Sequence, residues 1–315
     1  SNAGCVYVFV QNGGDWSQQA KLTASASESD GNFGSSLAIS GDSMIVGSDV
    51  EDAYIFAFSG GEWSEQARLI ASDATTNFGI SVAISGGIAI VGAYGSSSAY
   101  IFEYNGTSWV QEQKLVAFGG GFHFQFGYSV GVSGSKVVVG DWANFAPIPG
   151  QGAVHVFAHN GTGWTEEAKL VAADPEGSAN LGWSVAISGE NIIAGSPRDD
   201  ANGLLDAGSA YVFKWNGTGW SQDAKLIASD STAQDKFGQS VSIAGDTAVV
   251  SAPEKNSFQG AAYIYFYDGA AWIEVTKLVA QSNNVFFGST VSVSPSGDMV
   301  VAGGASVTSI FSKSV

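Results

Sequence analysis

The residues of this chain that could do chemistry are few, and they gather in a handful of connections. Histidine occurs three times, at His123, His155 and His159. His155 and His159 lie four apart, in and beside an expected strand. They would share a face but stand too far apart along it to chelate one metal easily, and they read as surface residues. A second candidate is Pro197-Arg198-Asp199-Asp200-Ala201-Asn202-Gly203-Leu204-Leu205-Asp206. Its Asp199, Asp200, Asn202 and Asp206 could hold a cation or sugar hydroxyls, with Arg198 beside them. The stretch lacks the closing glutamate of a calcium loop, and a solvated turn explains it more simply. The neighbouring Glu254-Lys255-Asn256-Ser257-Phe258 could complete such a rim. Two further stretches are aromatic: Phe118 to Gln125, with Phe122, His123 and Phe124, and Asp141 to Gly150, with Trp142, Asn144 and Phe145. Rings on loops offer a large contact area to a sugar face or an apolar peptide side chain at small entropic cost. The alternative is that these loops fold over and bury their own rings.

Other chemistries have no footing. There is no Gly-x-Ser-x-Gly elbow, phosphate loop or Cys-His pair. The single cysteine, Cys5, stands where later units have Ala53, Ala99 or Ala210, and reads as a small core residue. Paired carboxylates brought together by distant loops remain open as a glycan-cleaving arrangement. Net charge is −17, and half of the twelve Lys and Arg residues belong to one repeated step. Nucleic acid is therefore disfavoured as a partner. No apolar stretch reaches membrane-spanning length, so no insertion into a membrane is expected.

The elements that must carry these loops are repetitive. Trp16, Trp63, Trp109, Trp164, Trp220 and Trp272 are each followed five residues later by Lys-Leu or Arg-Leu, from Lys21-Leu22 to Lys277-Leu278, with a period of about 45 to 56 residues. The repeated basic residue reads as an edge charge that discourages sheet-to-sheet pairing. In one unit, Phe78 to Ser85 alternates as a strand, Gly86-Gly87 turns the chain, and Ile88 to Gly92 is a second, buried strand. Ala99 to Tyr104 is a third strand, Asn105-Gly106 a turn, and Trp109 to Val116 a fourth. Asn105-Gly106-Thr107, Asn160-Gly161-Thr162 and Asn216-Gly217-Thr218 match the glycosylation acceptor pattern, but they fall where a hairpin needs Asn-Gly. The expected fold is all-β, a propeller of four-stranded antiparallel blades. Six blades are expected, closed by joining the first two strands of the last unit and one copy of the third to the Trp16 to Thr23 strand, with one copy of the third strand to spare, and seven is the alternative. Ser1-Asn2-Ala3 reads as an expression-tag scar. Residues 4–315 read as one domain that begins in mid-unit at Gly4, which implies sequence upstream.

The copies Phe33-Gly34, Phe78-Gly79, Phe126-Gly127, Phe237-Gly238 and Phe287-Gly288, with Leu181-Gly182 as the one departure, each precede a Ser-Val-Ala-Ile-Ser-like strand. Gly195-Ser196-Pro197 and Ser251-Ala252-Pro253 follow downstream. This pattern resembles the FG-GAP repeat family, the propeller unit of integrin α-chain heads and of many bacterial surface proteins. The resemblance implies that ligands meet the face formed by the 2–3 and 4–1 loops. Integrin-like units often carry a calcium loop between their first and second strands. Here that connection is only a hairpin turn, as at Ser85-Gly86-Gly87, so the family's calcium role does not carry over and no cofactor is expected, beyond the weak cation option at Asp199, Asp200 and Asp206. The expected function is that of a non-catalytic binding or scaffold module, monomeric and extracellular, cell-surface or periplasmic. It would recognise a protein or a carbohydrate through Phe122, His123, Phe124, Trp142, Asn144, Phe145, Arg198, Asp199, Asp200 and Asp206. The alternatives are a glycan hydrolase or lyase using the loop carboxylates, and a spacer domain of a larger protein.

Overall fold

A computed structural model describes residues 4–26, 31–48, 52–73, 75–118, 125–144, 148–280, 285–305 and 308–312. Five stretches of chain each fold into a four-stranded antiparallel meander. The first comprises β3 (Ser36–Ser40), β4 (Ser43–Gly47), β5 (Ala53–Ser59) and β6 (Glu62–Leu69), preceded by the pair β1 (Val6–Asn12) and β2 (Asp15–Leu22). The second is β7 (Phe78–Ser85), β8 (Ile88–Ala93), β9 (Ser98–Tyr104) and β10 (Trp109–Leu115), and the third is β11 (Val130–Ser133), β12 (Lys136–Asp141), β13 (Ala153–His159) and β14 (Trp164–Leu170). The fourth is β15 (Ser184–Ser188), β16 (Asn191–Ser196), β17 (Ser209–Trp215) and β18 (Trp220–Leu226), and the fifth is β19 (Val241–Ala244), β20 (Thr247–Ala252), β21 (Ala261–Tyr267) and β22 (Trp272–Val279). A three-stranded sheet of β23 (Thr290–Val293), β24 (Met299–Gly303) and β25 (Thr308–Ser312) follows. Successive first strands touch, β3 with β7, β7 with β11 and on to β19 with β23, so they line the centre. The fold is an all-β propeller of six blades: five complete, the sixth drawn from the chain ends as β23–β25 and β1–β2.

The core is divided into slabs between neighbouring blades. In each slab a Phe of the Phe-Gly pair is the wedge. Phe78, Phe126, Phe237 and Phe287 are fully buried, and Leu181 fills the same role in the fourth blade. Phe78 meets Tyr100 and Phe102 edge-on within its own blade and packs against Ile45 and Ile55 of the blade before. Behind the wedge two backbones nearly touch. A Cβ on Gly195 would lie 1.8 Å from the Gly238 carbonyl oxygen of the next blade, so that strand position has room only for hydrogen.

The fourth strands are stitched to one another. Five of the six repeated Trp side chains donate their indole N–H backward to the residue three places beyond the preceding Trp: Trp63 to Gln19, Trp109 to Gln66, Trp164 to Glu112, Trp220 to Glu167 and Trp272 to Asp223, at 2.9–3.3 Å. The corresponding position after Trp272 is Val275, which has no acceptor.

The expected closure, in which one copy of the third strand bridges β24 to β2, is not the one adopted. β24 pairs with β25, and β1 stays with β2. β25 follows β24 within a few residues, whereas β1 lies at the opposite end of the chain, so the local pairing closes the smaller loop. Leu37 and Ile39 of β3 are consequently more than half exposed, although their counterparts Val82 and Ile84 are buried. Beside β25 a cleft of about 470 Å³ lies open between Phe266, Leu278, Val300 and Phe311.

Candidate functional site

The loops joining second to third strands, and each fourth strand to the next blade, share one end of the propeller. Beneath them recurs a group built from the third strand. The Tyr100 hydroxyl donates to Asp73 at 2.8 Å, and Lys114 pairs with the same carboxylate at 2.6 Å. Tyr263, Asp230 and Lys277 repeat this arrangement, as do Tyr211, Asp174 and Lys225. Burial resists ionisation of Asp230, but Lys277, the Tyr263 hydroxyl and Lys255 outweigh it and hold its pKa down to about 2. In these three blades the repeated basic residue thus ties the fourth strand to an acidic loop, whereas Arg68 pairs with Asp52 and Lys169 donates to Asn144. The edge-guard reading gives way, because the ammonium is folded back over the tyrosine ring onto a carboxylate.

Blade three breaks the pattern in two linked places. Its entering loop has Phe118 near the point where the others carry Ser-Asp, and its third strand has His155 in place of tyrosine. His155 is fully buried rather than on the surface, because it occupies the tyrosine's inward position. Its Nδ1 donates to Glu166 at 2.8 Å, and its Nε2 faces Asp141 at 3.7 Å. Burial alone would lower its pKa. The hydrogen-bonded Glu166 and the charge of Asp141 outweigh burial and raise the pKa above the ordinary 6.5. A group with a raised folded pKa stabilises the fold fully below its unfolded pKa, and that stabilisation is lost as pH rises through the folded value. The urea-unfolding free energy should therefore fall as pH is raised above about 6.5, by more than in a His155→Gln variant. Parallel curves for the two proteins would show that His155 carries no charge in the fold.

Above this histidine the structure assembles rings that the sequence reading did not join. Trp142 meets Tyr128 edge-on at 5.9 Å and Trp183 at 5.1 Å, Tyr128 meets Trp183 at 5.0 Å, and Tyr94 meets Tyr128 at 5.5 Å. All four are half-buried. They come from the ends of second strands and the starts of first strands in blades two to four, so they lie towards the centre of the loop face. Two polar atoms here lack a partner among the described residues: the Trp142 indole nitrogen and the side-chain oxygen of Asn180, a residue 4% exposed. Burial raises the Tyr128 pKa, with Tyr94 adding to the effect, so the hydroxyl stays a neutral donor. The signal for Tyr128 and Trp183 was present in the repeat. The residue after Phe-Gly is Ser35, Ile80, Gln239 or Ser289 elsewhere, and is a large ring only in blades three and four.

The remaining expected site residues divide. Phe122, His123, Phe124 and Phe145 lie outside the described residues. Asn144 is buried and turned inward, donating to Asp141 and accepting from Lys169. Arg198 is exposed. Asp199 is buried under Tyr211, Ser209 and Lys225, Asp200 accepts the Asp206 backbone N–H, and Asp206 pairs with Lys236. These carboxylates brace their loop instead of converging on one ligand. No group of three metal-ligating side chains forms among the described residues. The Asn105, Asn160 and Asn216 side chains accept from the threonine two places on, which is the turn role expected of them.

A model of the FG-GAP repeat matches residues 16–60, 63–102, 109–157, 164–213 and 220–265. The chain belongs to the FG-GAP repeat family. Each matched FG-GAP segment runs from the Trp of one blade to the third strand of the next, so the unit of sequence straddles two sheets and carries the wedge between them. The chain matches no curated protein at a significant level. No helix among the described residues is long and apolar enough to cross a membrane.

Proposed function

We propose that this FG-GAP propeller is a non-catalytic binding module of an exported or cell-surface protein, and that a protein ligand docks on the loop face over Tyr94, Tyr128, Trp142 and Trp183. The carrying observation is that ring cluster. Partly exposed Tyr and Trp side chains packed into one patch have the composition of interface hot spots. They sit on a scaffold whose own stabilising contacts lie below them, between the blades. A net charge of −17 favours a neutral or basic contact surface on the partner. The enzyme reading loses support because Asp199, Asp200 and Asp206, the acids it would use, are each engaged by other groups of the protein: Asp199 by Tyr211 and Lys225, Asp200 by the Asp206 backbone and Asp206 by Lys236.

The test is binding to immobilised panels of basic and neutral extracellular proteins and of polysaccharides, run beside a Trp142→Ala, Trp183→Ala double variant of matched melting temperature. Selective capture by a protein, weakened at least about tenfold in the variant, is expected; that ratio corresponds to about 1.4 kcal/mol. Capture by a polysaccharide with the same loss would keep the site and change the ligand. Capture indifferent to the two tryptophans would move recognition elsewhere.

A further inference from the structure

On the same face, away from the ring cluster, the loop entering blade five and the 2–3 loop of that blade enclose a polar cleft of about 360 Å³. Its walls are Thr232, Gln234 and Asp235 on one side and Glu254, Asn256 and Ser257 on the other, with Phe258 at the rim. The walls are locked together by Lys255. That side chain is 2% exposed, and its ammonium donates to Asp235 at 2.7 Å and to the Asp230 carbonyl. Asp235 in turn accepts from the Thr232 backbone and hydroxyl at 2.6 and 2.7 Å. Lys255 and Asp235 are therefore structural, and the charge of one is matched by the other.

The 2–3 loop is held in a costly shape. Asn256, Ser257 and Phe258 are three consecutive residues in the left-handed region, at φ 52, 55 and 70. Phe286, on the adjoining loop, is left-handed as well, at φ 49. Left-handed backbone is costly for non-glycine residues, and such strain is retained where it shapes a site. Its result here is a display of rings. Phe258 and Phe286 stack at 5.0 Å with an interplanar angle of 41°, and both are 40–45% exposed. Beside them, the side chains of Glu254 and Gln234 line the cleft with no hydrogen-bond or ion-pair partner among the described residues.

We infer that this cleft is a second binding site, specific for a neutral saccharide, in which Phe258 stacks on the sugar ring while Glu254 and Gln234 take its hydroxyls. Aromatic rings match the apolar face of a pyranose. A carboxylate and a carboxamide together accept from and donate to neighbouring hydroxyls. The volume falls within the range of small-ligand pockets. With Lys255 neutralised by Asp235, the unpaired Glu254 leaves the cleft negative, which discriminates against uronic acids and phosphates. The site does not depend on the protein-binding patch proposed above.

The experiment is saturation-transfer NMR and calorimetric titration of the full chain with neutral hexoses, N-acetylhexosamines and their disaccharides, with glucuronic acid and inorganic phosphate as anionic probes. A neutral sugar is expected to bind, at least tenfold more tightly than either anion. Phe258→Ala and Glu254→Gln should each weaken it about tenfold or more, while the Trp142→Ala, Trp183→Ala variant binds it unchanged. Glu254→Gln keeps the shape of the cleft, so its loss of binding is separable from misfolding, which thermal melting monitors. No binding across the neutral panel, preference for an anion, or binding that survives both cleft variants would overturn the assignment. Loss confined to the tryptophan variant would do the same.

Discussion

Replacing Phe78 by alanine should destabilise the protein by about 3–5 kcal/mol, measured by urea denaturation. The ring is fully buried and touches Tyr100 and Phe102 of its own blade. It also belongs to the slab formed with Ile45, Ile55 and Leu69 of the blade before. Its removal takes away transfer free energy and leaves a void whose walls are two hydrogen-bonded sheets, which cannot collapse without sliding past one another. A shift below about 1 kcal/mol would mean that the blades close over the gap and that the Phe-Gly ring is not the wedge.

The second large effect is expected where there is no side chain at all. Gly195→Ala would place a methyl group against the Gly238 carbonyl oxygen and the Ser184 hydroxyl, and the nearer of these is backbone of the next blade. Overpacking a rigid contact of this kind should cost about 3 kcal/mol or more. Gly189→Ala is the control. Gly189 sits in a hairpin at φ +56 with open space around its Cβ position, so only the left-handed backbone is penalised, at about 1–2 kcal/mol. If the two variants prove equally stable, the close approach between blades is not limiting.

The frame was legible because each unit repeats its own solution. Period-two runs such as Phe78 to Ser85, the Asn-Gly turns and the Phe-Gly pairs are local signals, and six copies in register made the strand order readable. What repetition hid was the partner of each residue. The basic residue of the Lys-Leu step looked like an edge charge because Asp73 and Lys114 are 41 places apart and meet only across two blades. His155 looked superficial because its polarity was weighed alone. Aligned on Tyr54, Tyr100, Tyr211 and Tyr263, it falls on a position that is buried in all five complete blades. The aromatic mouth was half visible: Trp142 stood out in a long loop, whereas Tyr128 and Trp183 sat inside a repeated motif where a ring is the exception. The closure at the chain ends turns on which third strand pairs with β24, and side-chain pattern does not encode that choice.

The tryptophan stitch also has a polarity. From β2 to β18 each fourth strand accepts an N–H from the one ahead of it, so these strands and β22 form a head-to-tail polymer whose monomers cannot be reversed. In that language the polymer has one break, at Val275, whose side chain offers no acceptor to an indole proton. Order among the blades is therefore written outside the motif that names them, in one side chain per outer strand.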